Sequence, residues 1–286
     1  MVMHDLIRTA QAYLMESNPP DLPLELIQLY EELDKRHPNT VVIAGLISHN
    51  PALLADFLKL ANRCCAPKEP IKDARAAVNM MGLNEINTLF TCVNISQYLA
   101  EDYFEKTVLS DAVKAGLAAA ELSYWVYDVS RAEAYMAGLL QNVGVPFLYR
   151  RNKEAYSRIF EHQASQPFSG YQQEIKTYRT SHAHVGMVLA KKWQVNNDIM
   201  KAILLHHEAD FVAMTANHPK IRELTALIQL ANFIVVEAQD QEYLHSELKQ
   251  SRDLARQALD LPDAALKAAR GAVQKWGDAG LVLGSH

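Results

Sequence analysis

The residues best suited to chemistry are three histidines in the second half of the chain, His182 and the adjacent pair His206–His207. Imidazole nitrogens bind Zn²⁺ and other transition-metal ions, and three of them are enough for a zinc site. The histidines lie on separate predicted helices that could converge. The alternative is that they are polar side chains at helix ends, one of them stabilised by the helix dipole. Neighbouring histidines on a helix also point about 100° apart, which weakens the metal interpretation.

The elements that must position these side chains are predicted to be helices. Asn50-Pro51 places an N-cap acceptor before a proline in the first turn, and residues 130–133 form a capping box that starts the helix leading to Gln141. Ser181 precedes another apolar helical repeat. The β-branched run at residues 40–47 also continues at helical spacing, and we interpret it as a buried helix. Since strand signals are poor throughout, the sequence predicts an all-α bundle of about a dozen helices.

The composition narrows the class of protein. With 286 residues, 49% hydrophobic and 21% charged, the chain resembles a soluble globular protein. A net charge of -5 makes nucleic acid an unexpected partner, and no apolar run reaches the roughly 18 residues of a membrane span. The three cysteines, Cys64, Cys65 and Cys92, are too few and too oddly placed for a disulfide framework. We therefore expect a cytoplasmic protein without a membrane partner.

Several blocks of sequence together resemble a known family. Residues 50–53 read Asn-Pro-Ala-Leu, residues 71–82 end in Asn-Met-Met-Gly, and residues 138–144 read Gly-Leu-Leu-Gln-Asn-Val-Gly. The motif His-Ala-His-Val-Gly at 182–186 and the pair His206–His207 follow in order. This order resembles the HDOD family, an HD-related output domain of bacterial signalling proteins within the superfamily of HD-type metal-dependent phosphohydrolases.

The resemblance implies a particular architecture. We expect a multi-helix bundle of the HD-domain, phosphodiesterase-like type, carrying an additional helical lobe at its N-terminus. The charged stretch around residues 101–106 suggests a boundary, with an N-terminal lobe at 1–105 and an HD-like lobe at 106–286. Both would form one compact unit with a core at about residues 20–235.

The resemblance also implies a site. HD enzymes gather histidines and aspartates around metal ions that activate a water to attack a phosphate ester. At the matching positions Asp111 stands for the early histidine, Gln141 and Asn142 for the His-Asp pair, and Asn232 for the late aspartate. The histidines that persist are His182, His206 and His207. Because carboxamides carry no charge and ligate weakly, we predict no catalytic residue and no resident cofactor. A divalent metal on His182, His206 and His207 is the less favoured alternative.

Other details of the site are expected from the residues. Gln141 and Asn142 could form a hydrogen-bonded knot that replaces metal crosslinks, with Asn232 and His182 as partners. Glu174 and Tyr178, four residues apart, are predicted to pair on one helix face. The tryptophans are predicted core anchors; they are Trp125, Trp193 and Trp276.

Two departures from the family pattern are visible. Arg179 stands where the family usually has a glycine, and His49 stands where an aspartate is common. Neither is expected to change the fold, although either could alter a ligand pocket.

These features support two hypotheses of function. The first is a non-enzymatic regulatory or scaffold module of bacterial signal transduction, which binds a protein partner, or a small ligand or nucleotide, through a degenerate HD-type cleft. Since no receiver or cyclase sequence lies within the 286 residues, we expect a stand-alone output domain. The alternative is a metal-dependent phosphohydrolase with a reduced, histidine-rich site.

Overall fold

A computed structural model describes residues 3–239 and 244–276 of the chain. The predicted all-α class is confirmed, because these residues form seventeen α-helices, one short 3₁₀ turn at Ser123–Trp125 and no strand. The helices are α1 (Met3–Ser17), α2 (Leu24–Leu33), α3 (Thr40–Ser48), α4 (Pro51–Cys65), α5 (Ala74–Met80), α6 (Leu83–Ser96), α7 (Tyr103–Leu122), α8 (Arg131–Leu140), α9 (Val145–Tyr149), α10 (Lys153–Ser165), α11 (Pro167–Tyr178), α12 (His182–Lys192), α13 (Asn197–Leu205), α14 (Phe211–Met214), α15 (Pro219–Ala238), α16 (Ser246–Leu259) and α17 (Asp263–Trp276).

The helices begin where their capping residues predict. The Asn50 side chain accepts a hydrogen bond from the Ala52 amide at 3.0 Å, which satisfies one of the free donors at the start of α4. Ser130 and Glu133 form the expected reciprocal capping box at the start of α8. Asn39 caps α3 in the same way, so the β-branched run that follows it is helical. Local signals therefore fix the starts of these three helices.

One apolar core runs through the whole described chain, from Ala10 in α1 to Val273 in α17. At its centre α7 and α8 pack with their backbones close together. A Cβ added at Gly138 would lie 2.8 Å from the Ala115 carbonyl and from Gly116 Cα, so only glycine fits there. The long helix α15 packs against both of these helices and against α13 and α16. The end of α8 is thereby held against α13 and α15.

The N-terminal helix α1 packs on α9 and α12, in the second half of the chain. The Thr180 hydroxyl donates to the Leu6 carbonyl and the Tyr13 hydroxyl donates to the Tyr178 carbonyl, both at 2.9 Å. These bonds attach α1 beside the start of α12. The predicted boundary between residues 105 and 106 falls within α7, and the division into two lobes stays a prediction.

Within the described residues, no single helix is both long enough and apolar enough to cross a membrane. Helices α3 and α4 reach that length and apolarity only together, and they bend by 112° where they join. Both helices contribute fully buried side chains to the core, including Ile47 and Phe57.

Candidate functional site

A cleft between α7, α8, α10, α15 and α16 contains most of the residues proposed from the sequence. Its interior volume is about 100 Å³, which exceeds the roughly 10–15 Å³ that a single water requires. Six of the seven proposed site residues line it: Asp111, Gln141, Asn142, His206, His207 and Asn232. The seventh, His182, is fully buried and contacts both of the other histidines through its ring.

Gln141 and Asn232 form a reciprocal pair of hydrogen bonds, which we call the amide clasp. Gln141 Nε2 donates to Asn232 Oδ1 and Asn232 Nδ2 donates to Gln141 Oε1, each at 2.6 Å. Gln141 is fully buried at the C-terminal end of α8, and Asn232 lies in the middle of α15. Each carboxamide thus satisfies the other where water has little access. The clasp joins α8 to α15 without any charged group.

Asp111 lies at the edge of the cleft, where its carboxylate accepts hydrogen bonds from a neighbouring side chain and lies close to a lysine. The Gln239 amide donates to both carboxylate oxygens at 3.2 Å, and Lys114 Nζ lies 3.7 Å from Oδ1. Burial raises the pKa of Asp111, while Lys114 and Gln239 partly offset that rise. Asn142, which is half-buried, also lines the cleft but is not part of the clasp. The carboxylate at this site is therefore bound to its neighbours.

Three histidines converge beside the clasp, and we call them the histidine triad: His182, His206 and His207. Each offers a ring nitrogen, and the three nitrogens all lie within 4.8 Å of one another. His182 is the first residue of α12, whose N-cap is Ser181, and His206 follows the last residue of α13. Helix ends on two neighbouring helices thus bring these side chains together.

The hydrogen bonds of His206 and His207 leave lone pairs free. His206 Nδ1 lies 2.6 Å from the Ile203 carbonyl oxygen. Since a carbonyl only accepts, Nδ1 carries the proton and Nε2 carries the lone pair. His207 bonds to the backbone of Pro167, which has no N–H to donate, while His207 Nδ1 is buried without a partner. Burial first, and then the neighbouring imidazoles, lowers the pKa of His206 to about 3 and that of His207 well below its usual value.

Glu174 orients the third histidine. This fully buried carboxylate accepts hydrogen bonds from the Tyr156 hydroxyl at 2.6 Å and from Gln163 Nε2 at 3.0 Å. It also lies 2.9 Å from the His182 amide nitrogen and 2.9 Å from His182 Nδ1. Burial alone would raise the pKa of Glu174, but His182 and the hydrogen-bond donors lower it overall. With Nδ1 donating to Glu174, His182 Nε2 points at His206 Nε2, 3.3 Å away.

This donor set fits a metal ion. Two imidazole lone pairs that face each other at 3.3 Å repel unless a proton or a cation lies between them. A ring nitrogen of His207 lies within 4.8 Å of a nitrogen of each of the other two rings and adds a third donor, and neutral imidazole is the form that ligates metal. The histidine triad could therefore hold a divalent ion through His182, His206 and His207. When bound, such an ion acts as a Lewis acid and lowers the pKa of a coordinated water.

Comparison with known proteins identifies the family. The HDOD domain profile matches residues 20–209. The chain belongs to the HDOD domain family. An uncharacterized protein of Treponema pallidum (strain Nichols) is 26% identical over 191 residues, which cover 66% of this chain and 37% of that protein. The HDOD chain therefore spans little more than a third of the length of this curated relative.

Solved structures share the HDOD fold. An HDOD domain protein of unknown function from Geobacter sulfurreducens is 22% identical, with a TM-score of 0.66 over 96% of this chain and 95% of its own. A Shewanella amazonensis SB2B protein, named as a candidate metal-dependent phosphohydrolase, is 17% identical, with a TM-score of 0.68 over 96% and 99%. These likenesses confirm the predicted HD-like helical architecture.

The structure gives a physical reason for one glycine of the HDOD motif and for the departure at Arg179. A Cβ at Gly144 would overlap the His182 carbonyl oxygen and lie 2.8 Å from the Gly186 amide nitrogen, so α12 approaches the end of α8 only if residue 144 is glycine.

Arg179 follows α11 with φ of 57°, in the left-handed region that favours glycine. The family's usual glycine would relieve that backbone strain.

Two residues of the HDOD site were missed or misread in the sequence. Glu174 was predicted to pair with Tyr178, whereas its hydrogen-bond partners Tyr156 and Gln163 lie on α10 and its partner His182 lies on α12. Gln229 was not singled out, yet its Nε2 donates to the carbonyls of His206 at 3.2 Å and Glu208 at 3.3 Å. It lies three residues before Asn232 on α15, and that spacing was the only sequence signal that could have revealed it.

Proposed function

We propose that this HDOD chain is a non-enzymatic regulatory module of bacterial signal transduction, acting in the cytoplasm. It would bind a protein partner or a small ligand through the cleft beside the amide clasp. The family resemblance supplies the signalling context. The observation that carries the proposal is the clasp itself, because Gln141 and Asn232 occupy positions at which the family resemblance places a metal-ligating histidine and a metal-ligating aspartate.

Charge is the reason that the clasp argues against hydrolysis. A metal ion that activates water near a phosphate needs ligands that hold it against the anionic substrate, and carboxylates contribute that negative charge. Gln141, Asn142 and Asn232 are neutral, and the side-chain amides of Gln141 and Asn232 are hydrogen-bonded to each other. Asp111 is bonded to Gln239 and lies beside Lys114. This side of the cleft has no free anionic ligand among the residues that line it.

The cleft has the mixed lining that suits recognition of a small molecule. Val235, Val236 and Leu248 contribute apolar surface, while Gln163 and Asn142 contribute amides. Binding sites of this kind combine an apolar wall with a few polar groups that fix orientation. The volume of about 100 Å³ accommodates a small group or the end of a larger ligand.

A metal-dependent phosphohydrolase with a reduced site is the second candidate, and the histidine triad favours it. Three imidazoles can hold one catalytic ion without help from the clasp. In this candidate His182, His206 and His207 would hold an ion that activates water, and Asp111 is a carboxylate that lines the same cleft as His206 and His207.

The test measures turnover and partner binding on the full chain. Purified protein is loaded separately with Mn²⁺ and Zn²⁺ and assayed on phosphomonoesters, phosphodiesters and cyclic dinucleotides. We expect no turnover that exceeds that of a His206→Ala variant. Turnover that depends on His206 would reject the regulatory proposal in favour of the hydrolase. Affinity capture with the wild-type chain and with a Val235→Glu variant then shows whether a specific partner depends on the cleft.

A further inference from the structure

We propose that this HDOD chain has a second ligand site, which binds a neutral, hydroxyl-rich molecule of the sugar or polyol class. The site is a cavity lined by residues of α2, α6, α8 and α13, by the turn after α12 and by Lys220 at the start of α15, and we call it the polar pocket. Its interior volume is about 350 Å³, against about 100 Å³ for the cleft. That volume falls within the range of about 300–1,000 Å³ that is usual for small-molecule sites. This ligand would be additional to any that binds in the cleft, since no described residue lines both cavities.

The polar pocket and the cleft lie at opposite ends of two helices. Helix α8 begins at the pocket, which Ser130 and Glu133 line, and ends at the cleft with Gln141. Helix α13 likewise begins after Asn196, which lines the pocket, and is followed by His206, which lines the cleft. Because an α-helix rises about 1.5 Å per residue, about ten residues place the two cavities about 15 Å apart. Residues of the pocket can therefore be changed without touching the amide clasp or the histidine triad.

The lining of the polar pocket is rich in groups that both donate and accept hydrogen bonds. Its side-chain amides and the hydroxyls of its threonines are Asn84, Asn87, Thr88, Thr91, Gln194 and Asn196. A sugar hydroxyl also donates and accepts, so it matches carboxamides and hydroxyls without any fixed charge. The side chains of Asn84, Asn87 and Thr88 form no hydrogen bond with another described residue. Asn87 Oδ1 is even buried without a partner, so its amide has no protein bond to break when it turns to meet a ligand.

The charges in the polar pocket favour a neutral ligand over a phosphate. Lys220 is the one cation among the described lining residues, and its ammonium lies 2.7 Å from Glu133 Oε1. Glu85 adds a second carboxylate to the wall. The starts of α8 and α13, which would otherwise attract an anion, are already capped by Ser130 and Asn196. A phosphate would therefore meet two carboxylates and a lysine that is already paired.

The apolar part of the polar pocket suits a sugar ring better than a nucleobase. A nucleobase is commonly held by stacking on aromatic side chains. Tyr30 is the one aromatic residue among the described lining residues, and its hydroxyl is held 2.9 Å from Thr91 Oγ1. The other apolar lining residues are aliphatic: Met136, Val195 and Ile199. These side chains give a base little to stack on, whereas they can pack against the C–H groups of a sugar or polyol.

Gln194 lines the polar pocket from a backbone conformation that favours glycine. It follows α12 with a φ of 57°, in a turn where the Val195 amide donates to the Ala190 carbonyl at 2.9 Å. Glycine is the usual residue in such a turn, and a glutamine there costs stability. Strained residues of this kind cluster at binding sites. A hydrogen bond from the Gln194 amide to the ligand accounts for a glutamine at this position.

The test measures binding to the full chain by calorimetry and by ligand-observed NMR. The neutral probes are D-glucose, D-ribose and myo-inositol, while glucose 6-phosphate and adenosine represent the anionic and the nucleobase alternatives. We expect saturable binding of at least one neutral probe, with a dissociation constant of about 1 mM or lower. Glucose 6-phosphate and adenosine should bind at least about tenfold more weakly than that probe. Equal or tighter binding of either one would overturn the assignment to a neutral polyol.

Two variants show whether the bound probe occupies the polar pocket. Gln194→Gly should weaken probe binding about 3–10-fold, the effect of one lost hydrogen bond, and yet raise the melting temperature because the backbone strain is relieved. Arg179→Gly is the matched control, since Arg179 has the same φ but does not line the pocket. It should also raise the melting temperature and leave probe binding unchanged.

Asn87→Leu replaces an amide of the polar pocket by an apolar side chain of similar size. It should weaken binding of the neutral probe by at least about threefold, and circular dichroism checks that the variant is folded. If the folded wild type binds none of the three neutral probes saturably, the site is overturned. Wild-type affinity in both Gln194→Gly and Asn87→Leu would overturn it as well.

Discussion

Gln141 on α8 and Asn232 on α15 exchange two hydrogen bonds of 2.6 Å in the interior of the bundle. The family resemblance places a metal-ligating histidine and a metal-ligating aspartate at these positions, whereas here two neutral amides hold the same two helices together. Stabilisation of the bundle and loss of metal ligands are thus consequences of the same pair of substitutions. The stability contribution can be measured.

The clasp is expected to stabilise the fold. Gln141→Ala leaves the Asn232 amide with no partner in the clasp, and this should reduce the free energy of unfolding by about 1–3 kcal/mol. The Gln141→Ala and Asn232→Ala double-mutant cycle should show a coupling energy of about 1 kcal/mol or more. Urea denaturation measures both values. The control is Gln172→Ala, at an exposed side chain on α11, which should change stability by less than about 0.5 kcal/mol. A coupling energy near zero would contradict a structural role for the clasp.

Restoring charge should restore divalent metal affinity at the old position. The double substitution Gln141→His and Asn142→Asp supplies an imidazole and a carboxylate beside the histidine triad. We expect the affinity for Mn²⁺ to rise at least about tenfold, because the added carboxylate is an anionic ligand that suits Mn²⁺. Gln141→Glu alone, which adds charge but no imidazole, is the comparison variant. Equal Mn²⁺ affinities for the wild type and the double variant would show that charge was not the limiting factor.

Gly144 is expected to tolerate no side chain. A Cβ there overlaps the His182 carbonyl, so Gly144→Ala must displace the start of α12. We expect a loss of about 2 kcal/mol or more in unfolding free energy, in the upper range for overpacked sites. Gly45→Ala on α3 is the matched control, because an added Cβ there meets no atom within 4 Å. Equal stability of the two variants would rule out the close approach of α12 to the end of α8.

Arg179→Gly should stabilise the protein. Arg179 has a φ of 57° and an exposed side chain, so glycine relieves strain at this position. Relief of a left-handed strain of about 1–2 kcal/mol, partly offset by about 0.5–1 kcal/mol for the greater freedom of glycine in the unfolded chain, should raise the free energy of unfolding by up to about 1 kcal/mol. A second left-handed residue, Gln194, has the same φ of 57°, and Gln194→Gly offers an independent comparison. Destabilisation by Arg179→Gly would mean that the arginine side chain stabilises the fold by more than the strained backbone at residue 179 destabilises it.

Acid should destabilise the metal-free protein through its buried histidines. The folded pKa is about 4 for His184 and about 3 for His206, in both cases chiefly because burial disfavours the charged ring, against an ordinary value of 6.5. The unfolded chain therefore binds more protons below that value. The stabilising contribution is complete above pH 6.5 and is lost as the pH falls toward the folded values.

Chelator-treated protein checks this prediction by urea denaturation at a series of pH values. Each of the two histidines can contribute a slope of up to about 1.4 kcal/mol per pH unit. A His184→Gln variant should show a shallower loss over the same range. If the free energy of unfolding stayed constant from neutral pH down to pH 4, His184 and His206 could not be buried in the neutral form.

Local signals in the sequence predicted the helices because capping and helical spacing depend on near neighbours. Asn50, Ser130 and Ser181 begin helices as expected, and the β-branched run after Asn39 is helical because it is capped and its apolar face is buried. Trp193 is buried as predicted, whereas the prediction for Trp125 was wrong. Trp125 lies in the 3₁₀ turn after α7 and is 37% exposed. The side chain of Trp276 lies outside the described residues.

Contacts between distant segments account for what the sequence could not predict. The sequence named His182, His206 and His207, but their free nitrogens depend on tautomers set by Glu174, Ile203 and Pro167. Glu174 and Pro167 are eight and forty residues from the histidines that they contact, so no local rule selects them, whereas the Ile203 carbonyl lies only three residues before His206. The Gln141–Asn232 bond spans 91 residues and was expected only because the family resemblance placed both residues in one site.

Crystals grown with Mn²⁺, with anomalous scattering recorded at the manganese edge, would show directly whether a metal ion reaches the clasp. We expect the Gln141–Asn232 clasp to stay closed, with no manganese ion coordinated by Gln141, Asn142 or Asn232. A manganese ion coordinated by any of these three side chains would contradict the proposal that the clasp has replaced the metal.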